Sequence, residues 1–70
     1  MRLDLYGQAI EVDRADDAWR VCYVGNDGTK RAAADIRIPD DVRAEDIAGY
    51  LDDLCHERAT PAHPRVRRLD

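Results

Sequence analysis

Seventy residues, 44% of them hydrophobic, make one small domain over residues 1–70, near the size at which burial barely exceeds the entropy cost of ordering the chain. Two cysteines, Cys22 and Cys55, fall short of a disulfide framework, and no apolar run is long enough for a signal peptide or a membrane span, so the cytoplasm is the expected compartment. A net charge of −4 sets the domain at a disadvantage for binding phosphate backbones.

Apolar residues recur at every second position through Leu3/Leu5, Ile10/Val12, Trp19/Val21/Tyr23 and Ile36/Ile38. The first strand runs from Arg2 to Tyr6, and Gly7-Gln8 connects it to a second over Ala9 to Asp13, forming a hairpin. Arg14 to Asp17 reads as a polar turn, and Trp19 to Val24 as a central strand rich in β-branched and aromatic residues. Gly25-Asn26-Asp27-Gly28 tolerates positive φ and makes the clearest turn in the chain, opening a second hairpin. Its return strand is weakened by Ala32-Ala33-Ala34 and Asp35 before Ile36-Arg37-Ile38 resumes the alternation.

After Pro39 the period changes: Ile47, Tyr50, Leu51, Leu54 and Cys55 fall on one helical stripe. Asp40 and Asp41 offer acceptors for the helix N-terminus, while Glu45, Asp46 and Arg58 suit the helix dipole. Gly49 is read as a point of close approach to the sheet, and Thr60-Pro61 as the helix stop. Residues 60–70 form either a mobile tail or an extra edge strand, with Val66 and Leu69 available for docking. The predicted fold is α+β, an antiparallel sheet of three to four strands in two hairpins with one helix of the C-terminal half packed on one face. The other sheet face is expected to stay partly exposed through Arg20, Cys22 and Val24, which places Cys22 away from Cys55 and argues against a bridge between them.

Residues 40–57 carry seven acids against one base, and 58–70 four bases against one acid, so an acidic helix is followed by a basic tail. His56-Glu57 opens the HExxH zinc-protease pattern, but Thr60 stands where the second histidine belongs. Asp52, Cys55, His56 and His63 have metal-ligand chemistry without the paired spacing of a zinc site. Cys55 and His56 are adjacent, hence about 100° apart around a helix, and form no nucleophile–base pair. The chain has no Ser and no glycine-rich phosphate loop. Asp52-Asp53 and Glu57 are the remaining acid–base candidates, with no pocket implied around them. The expectation is no catalytic, cofactor-binding or metal-binding residue.

Two resemblances bear on function. Trp19 to Val24, the Gly25–Gly28 turn and Lys30-Arg31, followed by a helix, resemble the three-stranded-sheet-plus-helix arm-binding domain of phage integrases. This resemblance covers about half the chain and implies DNA reading by the sheet, for which Arg14, Arg20, Lys30, Arg31 and Arg37 would have to cluster. Asp4, Glu11, Asp13 and Asp35 depart from it. Nearly the whole chain, through Leu54-Cys55-His56-Glu57, Ala59-Thr60-Pro61, His63-Pro64 and Val66-Arg67-Arg68-Leu69, resembles an uncharacterised family of short bacterial proteins. That resemblance implies a free-standing protein and transfers no activity. The combined expectation is a non-catalytic cytosolic protein-interaction module with an unknown protein partner and a weak homodimer, with nucleic-acid binding through the exposed sheet face as the alternative.

Overall fold

A computed structural model describes residues 1–70 as a five-stranded antiparallel sheet with one helix. The elements are β1 (Arg2–Leu5), β2 (Gln8–Ala15), β3 (Ala18–Val24), β4 (Lys30–Ala32), α1 (Ile47–Leu54) and β5 (Arg67–Arg68). Single 3-10 turns at Ala44–Asp46 and His56–Arg58 flank α1. The strand order is β4-β3-β2-β1-β5. One strand more than expected arises because the tail pairs with β1, Arg67 opposite Asp4 and Arg68 opposite Leu3.

Three consecutive hairpins, rather than two, build the meander. The first turn is Tyr6-Gly7, one residue earlier than expected, with φ of 51° and 93°. The stretch read as a polar turn is a second tight hairpin: β2 runs on to Ala15, and only Asp16 and Asp17, at φ of 51° and 62°, form the loop. Positive φ at both central residues matches the right-handed twist of the strands, and Asp tolerates that conformation through its short polar side chain. The third turn, closed by the Gly25 amide on the Thr29 carbonyl (2.7 Å), is where Gly25–Gly28 placed it.

Alternation sends Leu3, Leu5, Ile10, Val12 and Val21 to the inner face, where they meet Ile47, Leu51, Cys55 and Val66 in one buried cluster. Ile36 and Ile38 join this cluster, but no strand forms there. The Ala33 amide makes the last bond to β3, at the Val21 carbonyl (2.9 Å), and the Ile36 amide then turns back to the Ala33 carbonyl (3.1 Å). Extended backbone alternates its side chains whether or not it is paired, so the two-residue period survives without a ladder.

The helix buries Ile47, Leu51 and Cys55, an i, i+4, i+8 row against the sheet, while Tyr50 is half-buried and Leu54, expected on the stripe, is 45% exposed at the end of α1. Asp40 and Asp41 do not cap it. They lie in a turn closed by the Val42 amide on the Pro39 carbonyl, and Arg43 occupies the cap position of the first 3-10 turn without capping a backbone amide through its side chain. Gly49 is exposed, and a Cβ built there meets nothing within 4 Å, so no close approach requires it. In the tail Val66 is buried, whereas Leu69 stays exposed and contributes only its amide, donated to the Arg2 carbonyl (2.9 Å).

Candidate functional site

The chemistry-bearing side chains singled out in the sequence are dispersed. No three His, Cys, Asp or Glu side chains gather closely enough to hold a metal ion. Asp52 is taken by Tyr6, whose hydroxyl donates to the Asp52 carbonyl (3.0 Å) and to its carboxylate. His63 lies at the first hairpin turn, with Nδ1 3.8 Å from the Asp4 carboxylate and its ring over Gly7. Cys55 is buried and its thiol is pushed up by burial, while Cys22 is half-buried on the opposite sheet face; both are free thiols.

Neighbouring titratable groups tie one element to another. Arg58, past the end of α1, donates to Asp35 (2.7 Å) and to the Tyr23 hydroxyl (3.2 Å). Tyr23 also donates to Asp35 (3.0 Å), closing a triangle between β3, the segment after β4 and the helix end. These bonds hold the Asp35 carboxyl below its ordinary range, Arg58 first and Tyr23 second, and hold Arg58 protonated. On the outer face Glu11 receives Lys30 (3.0 Å) and Arg2 (3.3 Å), and its carboxyl is likewise lowered by hydrogen bonds from the two.

Charge pairing separates the basic residues into two groups. Arg2, Lys30, Arg43, Arg58, Arg67 and Arg68 each stand beside a carboxylate. Arg14, Arg20, Arg31, Arg37 and Arg65 do not, and four of these five belong to the sheet and the segment that follows it. The Arg14 guanidinium covers the Trp19 ring at 4.7 Å and donates to the Asp40 carbonyl (2.9 Å). Arg31 lies over the Tyr23 ring at 5.4 Å. Arg20 and Arg37 are exposed, with neither an ion pair nor a side-chain hydrogen bond.

The five bases that a DNA-reading sheet would need do not share a face. Arg14 opposes Trp19 and Arg31 opposes Tyr23 on the helix-bearing side. Arg20 and Lys30 project from the other side, where Arg20 opposes Asp13 and Glu11 bridges Arg2 and Lys30. Val24, expected to be exposed there, is buried outside the main cluster at the mouth of the third hairpin.

One feature was missed in the sequence. Because β4 matches only Cys22–Val24, β3 runs on toward Ala18 beyond its neighbour. An open groove of about 510 Å³ lies where the two part, lined by Trp19, Val21, Ala33 and Ile36 together with Arg20 and Arg37. A second hollow of about 520 Å³ shares Trp19, Ile36 and Arg37 with it and reaches Tyr50. Trp19 is held between them, its Nε1 donating to the Val42 carbonyl (2.9 Å). The signal for this groove was the run Ala32-Ala33-Ala34, whose small side chains cannot fill the space beside β3.

The molecule is a small α+β domain, a five-stranded antiparallel meander with one helix over its inner face. No helix is long and apolar enough to cross a membrane. The chain belongs to the family of a domain of unknown function, DUF7661, whose model matches residues 1–70. No curated protein and no solved structure matches it.

Proposed function

We propose that this chain is a non-catalytic protein-interaction module of the cytosol that presents the β3–β4 groove to a protein partner. The observation that carries this is the gathering of unpaired arginines, Arg20 and Arg37, at an apolar groove in a chain of net charge −4 whose other bases are mostly paired. Exposed guanidinium beside apolar and aromatic surface is the composition enriched in protein interfaces. Arg58, Asp35 and Tyr23, the polar side chains that meet at the helix end, join separate segments of the chain.

Self-association belongs to this proposal only in a weak form. Two copies meeting edge to edge would oppose Lys30 and Arg31, or Arg67 and Arg68, to themselves. Nucleic-acid binding is the second proposal, favoured by the same unpaired arginines and opposed by Glu11 and Asp13 among the outer-face bases.

The test is affinity capture from nuclease-treated extract of the native cell, comparing the wild-type chain with Arg37→Glu. The expected result is a protein retained by the wild type and lost from the variant. Retention that disappears on nuclease treatment supports nucleic-acid binding instead, and no retention under either condition overturns the proposal.

A further inference from the structure

We infer that the groove beside β3 receives an extended, acidic segment of the partner, laid along the free edge of β3 with an apolar side chain beside Trp19 and carboxylates on Arg20 and Arg37. This rests on the protein-interaction proposal and adds the chemistry of the partner.

Three observations lead to it. The first is the open edge. The last bond on that side of β3 is the one between the Ala33 amide and the Val21 carbonyl, so Ala18–Arg20 has a strand neighbour only in β2. Unpaired edge backbone is a template for one more extended segment, and a helix cannot satisfy it.

The second is charge. Arg20 and Arg37 both line the groove and neither forms an ion pair, although fifteen acids are available in the chain and Asp13 stands opposite Arg20 in the ladder. Bidentate guanidinium–carboxylate bonding is the strongest contact either could make with a peptide.

The third is the apolar lining of the same groove, Trp19, Val21, Ala33 and Ile36. A segment alternating acidic and apolar residues places its side chains on two sides, as this arrangement requires. A phosphate backbone would meet a continuous cationic track better than two arginines in a mostly apolar groove, with Asp13 opposite one of them.

The experiment is a titration of the isotope-labelled chain with the acetylated, amidated probe peptide Glu-Val-Glu-Val-Glu-Val, followed by amide shifts and Trp19 emission. Trp19 is the only tryptophan and lines the groove, so its emission responds to an occupant there, and the amide shifts separate that from an occupant of the second hollow. Expected are shifts confined to Ala18–Cys22 and Lys30–Arg37, a blue-shifted emission, and about tenfold weaker binding for each of Arg20→Glu and Arg37→Glu. The wild-type amide pattern elsewhere verifies that both variants are folded. The same peptide with Lys in place of Glu should leave the spectrum unchanged.

No shift up to about 1 mM peptide overturns the inference, as does equal binding of the Lys peptide. Tighter binding of a single-stranded oligonucleotide at the same amides overturns it in favour of nucleic acid. Groove shifts that appear with protein concentration alone, together with shifts over residues 40–57, identify a second copy as the occupant and overturn it too. If the peptide fails while the captured partner still depends on Arg37, the acidic-segment inference falls and the interaction proposal stands. If capture fails as well, both fall.

Discussion

Tyr6 adopts φ of 51°, a left-handed conformation that costs a residue with a bulky side chain roughly 1–2 kcal/mol. Its ring is buried in the core cluster and its hydroxyl binds the main chain and carboxylate of Asp52, so the strained turn is welded to the helix. Burial, followed by the bond to Asp52, pushes the hydroxyl up to about 12 from an ordinary value of 10.0. The folded state therefore holds the proton more tightly than the unfolded chain. This contribution is complete below pH 10 and disappears as pH rises from 10 to about 12. Tyr6→Phe should lower stability at neutral pH by about 1–2 kcal/mol through the lost hydrogen bonds. It should also flatten the alkaline fall in melting temperature. An unchanged alkaline fall in the variant would show that another group governs it.

Two glycines separate what an element needs from what it tolerates. At Gly7, in the β1–β2 turn, φ is 93° and an added Cβ would sit 3.0 Å from His63 Cδ2. Gly7→Ala should therefore lose more than about 1 kcal/mol, by strain in the turn and by displacement of the His63 ring from above it. Gly49 is exposed within α1 and faces open space, so Gly49→Ala should gain roughly 0.5–1 kcal/mol by removing freedom from the unfolded chain. Urea midpoints at constant slope measure both. A destabilised Gly49→Ala would mean that the helix needs glycine for a reason other than space. Along α1 and its C-cap, burial follows the row Ile47, Leu51 and Cys55, while Leu54 stays exposed.

For the whole molecule the two sheet edges are alike: β4 and β5 are short, exposed and basic. Such edges resist pairing with identical copies, because like charges would be set opposite each other along the new ladder. Replacing Lys30 and Arg31 with Thr and Val should therefore strengthen self-association through β4, seen by sedimentation equilibrium as a rise in mean mass with concentration beyond that of the wild type. If the variant and the wild type sediment alike, edge charge is not what keeps the copies apart. The removal of Lys30 also leaves Glu11 with Arg2 alone, so a Lys30→Thr single variant serves as control.

The order of strands and helix was legible in the sequence, because alternation and helical spacing are properties of a single segment and need no partner to be read. Leu3, Ile10, Val21, Ile47 and Cys55 lie in the core as their periods imply, and the glycine-rich turn at Gly25–Gly28 stands where its residues put it. Only the tertiary structure decided which extended segments became strands. Ile36–Ile38 keeps the period of a strand without a neighbour, while Arg67–Arg68, with no period at all, gains one from β1. The groove belongs to the same class of fact. It exists because β4 ends before β3 does, and where a ladder ends depends on two segments meeting, as does the lack of an ion pair at Arg20 and Arg37.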